Sequence, residues 1–307
     1  MSTPKALRIG TRGSELALWQ AQRVAALLSQ RCQLTCQLVV VHTSGDRDRS
    51  RALHELPGSG FFTKELQEAL LEGQVDAVVH SLKDLPTQEP EGLLVGAVCL
   101  REDPSELLLA RPEALGEGAL GLRAGAVVGT SSLRRRAQVL ALQPDLQVRP
   151  LRGNVPTRLR KLREGAYDAV LLAYAGVHRL GLDLSGLAVR KLPPEVLLPA
   201  PGQGALAVEV RQGDREAQQA IAQIHEPLLA EEVAAERQLL VGLGGGCHLP
   251  LGAYCQRQNG SFLLKAAYGI LDSSLGLVEL KRARALAPTP REAASQVLQA
   301  FVAGGSG

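Results

Sequence analysis

Short β-rich runs alternating with amphipathic helical stretches constrain this chain more than any other feature. Ala6 to Ile9 reads as a strand and Glu15 to Ser29 as a helix with Leu18, Ala21, Ala25 and Leu28 on one face. Leu38 to Val41 is a second strand. Phe62 to Glu72 is a second helix, ended by Gly73, and Val75 to Val79 is a buried strand. Such alternation implies a mostly parallel sheet with helices on its faces.

Two echoes suggest that the architecture is doubled. Ile9-Gly10-Thr11 resembles Val128-Gly129-Thr130, and Glu72-Gly73 with Asp76-Ala77-Val78 resembles Glu164-Gly165 with Asp168-Ala169-Val170. At 307 residues the chain suits two or three domains. Arg101-Glu102-Asp103-Pro104 and Leu198-Pro199-Ala200-Pro201-Gly202-Gln203-Gly204 read as crossings between lobes, with Ala205 to Val210 a strand returning to the first. Two adjacent crossings make a hinge with a cleft. The reading is a discontinuous first domain (1–100 and 201–219), an arginine-rich second (103–198) and a third (224–307) with a helix at Glu231 to Val241 and strands near Leu251 to Tyr254 and Phe262 to Ala267. Ser44 to Gly60 is long, charged and weakly patterned, either disordered or a lid, and the tail Ala303 to Gly307 is read as frayed.

The N-terminus has no signal-peptide pattern, and apolar runs fall far short of the ~20 residues of a membrane span. Five cysteines, an odd number without a signal peptide, point to reduced thiols in the cytoplasm. Neither cysteines nor histidines have metal-ligand spacing, so no metal is expected.

The formal net charge of +3 hides an asymmetry. Between Arg123 and Arg163 stand nine arginines and Lys161 against the single acid Asp145. A guanidinium binds a carboxylate or phosphate through two parallel hydrogen bonds, where lysine offers a mobile point charge. A run of charge is often only a solvated face, but these arginines lie among Gly, Ser, Thr and Asn turns. Thr11-Arg12-Gly13-Ser14 and Thr130-Ser131-Ser132-Leu133-Arg134-Arg135 both sit where a strand feeds a helix, so they are either plain N-caps or anion sites. Single-strand nucleic-acid binders also need aromatic platforms. Aromatic residues are 3% of the chain and none falls in the arginine-rich window, so small anions lead and nucleic acid is not expected.

His80-Ser81-Leu82-Lys83-Asp84-Leu85-Pro86 follows a buried strand, at the end where ligands bind in such sheets. Asp84 either caps the turn before Pro86 or shuttles a proton and stabilises a cation. Gly244-Gly245-Gly246-Cys247 displays a thiol on an open loop, which suits a nucleophile or a covalent attachment point.

Together these segments resemble the porphobilinogen deaminase family. The resemblance runs from Arg8 to about Ser261 through IGTRGSELALWQ (9–20), FFTKELQEALLEGQVDAVVHSLKDLP (61–86), REDP (101–104), VGTSSLRRRAQ (128–138), LRGNVPTRL (151–159), YDAVLLAYAGVHRLG (167–181), LPAPGQGAL (198–206) and ERQLLVGLGGGCHLPLG (236–252). It implies an α/β fold of two periplasmic-binding-protein-like (type II) lobes with a hinge, plus a small α+β C-terminal domain. It implies a transferase of tetrapyrrole and heme biosynthesis, cytoplasmic and monomeric, acting on porphobilinogen. Four porphobilinogens would be joined head to tail onto a covalent dipyrromethane primer with loss of ammonia, and hydrolysis would release hydroxymethylbilane. Cys247 would carry the dipyrromethane through a thioether, and Asp84 would be the catalytic acid, stabilising each azafulvene-like electrophile. Lys83, Asp46, Ser81, Thr130, Ser132, Arg134 and Arg135 would bind the cofactor; Arg12, Ser14, Arg152, Arg158, Arg179 and Gln203 would bind substrate. Each added pyrrole brings two carboxylates, which accounts for the demand for guanidinium forks. The chain departs from the family pattern at Glu55 and Ser59 in the lid, where lysines are common, at Pro156 in place of a glycine, and at Leu249 in place of a β-branched residue.

Overall fold

The computed structural model describes residues 6–42, 63–245 and 249–303. The expected lid over 44–60, with Asp46, Glu55 and Ser59, lies outside the described residues, as do Cys247 and the last four positions.

The described residues form two compact units. The first holds the chain up to Glu102 together with Gly204–Ala230; the second holds Asp103–Gln203 and the chain from Glu231 onward. In the first, strands β1 (Leu7–Thr11), β2 (Cys36–Val40), β3 (Ala77–Ser81), β4 (Leu93–Cys99) and β10 (Leu206–Arg211) lie in the order β2-β1-β3-β10-β4. In the second, β5 (Glu106–Ala110), β6 (Val127–Gly129), β7 (Gln147–Arg149), β8 (Ala169–Ala173) and β9 (Ala188–Leu192) lie in the order β7-β6-β8-β5-β9. In each sheet the first three neighbours are parallel and the last two pairings antiparallel. This is the type II periplasmic-binding-protein-like arrangement, in which the fourth strand in each order, β10 or β5, is the first that follows a crossing of the chain.

The sequence echoes mark equivalent places in the two sheets. Helices α1 (Glu15–Cys32) and α2 (Lys64–Leu71) serve the first sheet as α3 (Leu133–Leu142) and α4 (Val155–Arg163) serve the second. α2 ends at Gly73, whose N–H bonds to Leu70 O (3.2 Å) while Gln74 N bonds to Ala69 O (2.9 Å); α4 ends at Gly165 with the same pair, to Leu162 O (3.0 Å) and Lys161 O (3.1 Å). Both glycines have positive φ (71° and 82°), the left-handed cap that costs other residues strain. The acid that follows staples the next strand. Asp76 accepts from Arg8 N (2.9 Å) and Asp168 from Val127 N (2.8 Å), N–H groups at the starts of the neighbouring strands. Arg8 adds an ion pair to Asp76 at 2.6 Å and Arg123 one to Asp168 at 3.1 Å. The hydrogen bond and charge of Asp76 raise the pKa of Arg8.

A third, antiparallel sheet, β11 (Leu251–Gln258), β12 (Ser261–Leu271) and β13 (Leu277–Ala287), belongs to the second unit. Leu251, Ala253, Cys255, Phe262, Leu264 and Ala266 of this sheet pack against Ala235, Leu239 and Leu240 of helix α7 (Pro227–Gly242) and Val297 and Phe301 of helix α8 (Pro290–Ala303). The sequence reading placed β11 and β12 but ended both early. It missed β13 and α8: β13 mixes Lys281, Arg282 and Arg284 into its alternation, as an edge strand does.

Among the described residues the chain passes between the units three times, at Glu102/Asp103, Gln203/Gly204 and Ala230/Glu231. The third passage lies within α7, near the start that the sequence reading gave its third domain. At the second, Gly204 O accepts from Glu102 N (3.0 Å) at φ +89°, and a Cβ there would stand 2.2 Å from Glu102 O. Overpacking costs about 1–3 kcal/mol and the left-handed conformation roughly 1–2 more for a non-glycine. Gly204→Ala is therefore expected to lower stability in chemical denaturation by about 2–5 kcal/mol, with Gly213→Ala, which meets nothing, as the control.

Candidate active site

In the first unit the candidate residues lie at the C-terminal ends of β1 and β3, which are parallel neighbours and so finish at one edge of the sheet. β1 leads through half-buried Arg12 to Ser14, whose hydroxyl caps α1 by accepting from Ala17 N (3.3 Å). β3 leads into a single 3₁₀ turn, Leu82–Asp84. Leu82 and Leu85 are buried on either side, Lys83 is half-buried and Asp84 is exposed. Apolar anchors thus hold the turn while its carboxylate faces solvent. Ser81 Oγ accepts from Gln20 Nε2 (2.8 Å), which leaves the serine hydroxyl hydrogen free to donate.

In the second unit the ends of three parallel strands meet at one edge. Beyond β6, buried Thr130 accepts from Ser132 N (3.2 Å), and Ser132 caps α3 by accepting from Arg135 N (3.4 Å). Ser131 Oγ donates to Leu151 O (2.9 Å) and accepts from Leu151 N (3.0 Å), tying the turn after β6 to the turn after β7. Asn154 caps α4, and Arg158 folds back so that its Nε donates to Gly153 O (2.8 Å). Arg152 Nη1 is buried without a hydrogen-bond partner. Helix α5 (Tyr174–Leu180), directly after β8, carries buried Arg179.

Arg134 and Arg135 hold an internal carboxylate. Arg134 Nη2 lies 2.7 Å from Glu106 Oε1 and Arg135 Nη2 lies 2.7 Å from Oε2. Arg134 also donates to Leu198 O (2.8 Å) and Arg135 to Leu171 O (3.0 Å). Gln203 Nε2 donates to Pro104 O (2.8 Å) and to Glu106 Oε1 (3.1 Å). Glu106 is fully buried and both arginines are 5% exposed. Burial lowers the pKa of Arg134, and the charge of Arg135 lowers it further, against the opposing pull of Glu106. Two guanidiniums on one carboxylate leave an excess positive charge, and Arg135 Nε is buried with no hydrogen-bond partner.

The arginine-rich run is therefore less uniform than its sequence suggests. Arg123 pairs with Asp168, Arg160 with Glu164 (2.7 Å) and Arg163 with Asp183 (3.4 Å), acids that all lie beyond the window. Arg136 donates to Val148 O (2.8 Å) and to Leu275 O. Glu106 escaped the sequence reading altogether. The available signal was a lone acid opening the apolar strand Glu106-Leu-Leu-Leu-Ala, which a buried strand tolerates only when the charge is paired.

In the second unit the excess positive charge, the orphaned nitrogens of Arg135 and Arg152, the hydroxyl of Ser132 and the starts of α3 and α4 suit a ligand carrying several carboxylates. Dipyrromethane, with acidic side chains on each ring, fits this donor set. Fold and site define the class: an α/β protein of two periplasmic-binding-protein-like sheets and a further antiparallel one, equipped to bind a polycarboxylate. The family model described as porphobilinogen deaminase, dipyromethane cofactor binding domain, matches residues 7–219, and that described as porphobilinogen deaminase, C-terminal domain, matches residues 230–297. The porphobilinogen deaminase of Desulforudis audaxviator is 46% identical over 284 residues, covering 92% of this chain and 89% of that one. That of Rubrobacter xylanophilus is 49% identical over 247 residues, covering 80% and 79%. Among solved structures, an arginine-specific periplasmic binding protein of Salmonella typhimurium aligns at 16% identity and a TM-score of 0.44 over 76% of this chain and 97% of that one. The chain belongs to the porphobilinogen deaminase family.

Removing one member of a buried ion pair strands the other. Glu106→Ala is expected to cost about 3–5 kcal/mol in chemical denaturation, whereas Arg160→Ala on exposed α4 is expected to cost under about 1 kcal/mol.

Proposed function

We propose that this chain condenses porphobilinogen units head to tail on a dipyrromethane primer attached at Cys247, then releases the linear tetrapyrrole hydroxymethylbilane by hydrolysis. It is a transferase whose cofactor is part of its own covalent structure. The observation that carries the mechanism is the exposed carboxylate of Asp84 on a turn anchored by buried Leu82 and Leu85, at the C-terminal end of a central strand.

The dipyrromethane, when bound, supplies the unsubstituted pyrrole carbon to which the first substrate ring is joined. Arg134, Arg135, Ser132, Thr130, Lys83, Ser81 and Asp46 hold it, the cations and hydroxyls through its carboxylates. Excess charge around Glu106 and the unpartnered Arg135 Nε support this for the arginines. Arg12, Ser14, Arg152, Arg158, Arg179 and Gln203 receive the carboxylates of incoming substrate. Asp84 stands beside the aminomethyl group. As its carbon–nitrogen bond breaks, positive charge spreads into the substrate pyrrole and the carboxylate stabilises it. In its protonated form Asp84 delivers a proton to the departing amine, so that ammonia leaves; as a carboxylate it takes up the pyrrole proton lost when the new carbon–carbon bond forms. Charge-assisted hydrogen bonds contribute roughly 1.5–3 kcal/mol each, so a chain gaining two carboxylates per turn needs many such contacts, none strong enough to retain product.

Cys247 belongs to the connection between α7 and β11. Among the described residues no helix is long and apolar enough to cross a membrane, and the proposed enzyme acts as a monomer in the cytoplasm on a small substrate, without nucleic acid.

The intact mass of the active protein is expected to exceed that of the polypeptide by two linked pyrroles. The excess should vanish in Cys247→Ser, together with the colour reaction for pyrroles; active enzyme of bare polypeptide mass would refute the covalent primer. Asp84→Asn is expected to unfold within about 0.5 kcal/mol of the parent because the side chain is exposed, while turnover falls by a factor of about 10² or more. Turnover at the parent rate would remove Asp84 from the mechanism.

A further inference from the structure

The first sheet buries a polar set where the second, built on the same plan, buries leucines. Glu209 on β10 is fully buried, and Gln67 Nε2 on α2 donates to both of its oxygens (3.0 and 3.1 Å). His80 Nε2 on β3, itself 5% exposed, lies 2.7 Å from Glu209 Oε2. No N–H···O hydrogen bond is aligned between them, so the pair is a close polar contact in a buried place. The second sheet supplies the control. Val78 and Val170 occupy the same register position, opposite Gly10 and Gly129, so His80 corresponds to Leu172. Glu209 pairs with Val78 as Leu109 pairs with Val170. Gln67 and Leu159 both stand five residues before the helix caps Glu72 and Glu164. Leu109, Leu159 and Leu172 are all buried in a single apolar cluster. The architecture accepts three leucines at this place, and apolar groups of similar volume are often as stable there as a buried charged set.

The two strands differ in what they lead to. β8 runs into helix α5, which supports itself; β3 runs into the three-residue turn that presents Asp84. Successive side chains of a strand point to opposite faces. Ser81 is gripped on one face by Gln20 (2.8 Å), and His80 on the other by Glu209. Leu82 N bonds to Ala205 O (3.0 Å) just beyond. Hydrogen-bonded networks select one arrangement where apolar packing tolerates several.

We propose that His80, Glu209 and Gln67 are positioning residues for Asp84, holding the end of β3 so that the Lys83–Asp84 turn stays in its working place. This rests on the assignment of Asp84 above. The test replaces the set by its counterpart, in the variant Gln67→Leu/His80→Leu/Glu209→Leu. The thermal midpoint is expected to match or exceed that of the parent and KM to stay within about twofold, while kcat falls about tenfold or more. Combined with Asp84→Asn and followed in single turnover by mass, the triple change is expected to slow the reaction no further. A triple variant with the parent kcat, or an effect that multiplies that of Asp84→Asn, overturns the inference. An Asp84→Asn enzyme of parent activity instead overturns the assignment beneath it. Should the triple variant not fold, Glu209→Gln, which keeps the side chain's size but removes its charge and one of the two acceptors bound by Gln67, replaces it. Lowered kcat at parental KM then supports the role, and parental kcat overturns it.

Discussion

Parallel neighbours in a sheet finish at the same edge, and that constraint brings the candidate residues together. β1 and β3 deliver Arg12, Ser14, Lys83 and Asp84 to one edge of the first sheet. β6, β7 and β8 deliver Thr130, Ser132, Arg152 and Arg179 to one edge of the second. Each edge also receives the starts of the helices that follow, whose free N–H groups favour anions. The carboxylates of Asp76 and Asp168 secure this geometry from the opposite end, each taking an N–H at the start of the strand beside it.

The chemistry is divided unequally between two copies of one plan. The second sheet concentrates guanidiniums and offsets part of their charge with Glu106. Position by position, Glu106 corresponds to Leu206 of the first sheet, since they pair with Ala173 and Ser81 respectively. The first sheet carries the polar set at His80, Glu209 and Gln67 where the second has leucine. Each copy thus buries a polar set where the other has leucine, next to candidate site residues. Buried charges are costly to desolvate, so a network that leucine could replace points to a demand other than stability.

Glu236 shows how the remaining segments are fixed. Its buried carboxylate accepts from Gly202 N (2.7 Å) and Cys255 N (2.9 Å), joining the segment before Gln203 to β11. Ala253 N bonds to Pro199 O (2.9 Å), and Gln138 exchanges bonds with both backbone groups of Leu198. The stretch from Leu198 to Gln203 is consequently held by α3, α7 and β11 at once, which suits a segment that also anchors Gln203 on Glu106.

Local patterns were enough to read the alternation of strands and helices, the doubled plan and the turns at strand ends, because each rests on spacing within a few residues. Strand β3 was placed two residues early, since Val75 is as buried as the strand itself. The arginine-rich window was the feature that local reading overstated. Charge counted along a chain ignores partners that folding brings from elsewhere, and Glu106, Asp168, Glu164 and Asp183 all come from outside it. Tertiary structure alone decided which guanidiniums are spent internally, which keep a nitrogen without a partner, and that His80 and Glu209, 129 positions apart in sequence, meet at 2.7 Å. An ion pair or buried hydrogen bond depends on distance and desolvation in three dimensions, and neither is encoded by neighbours along the chain.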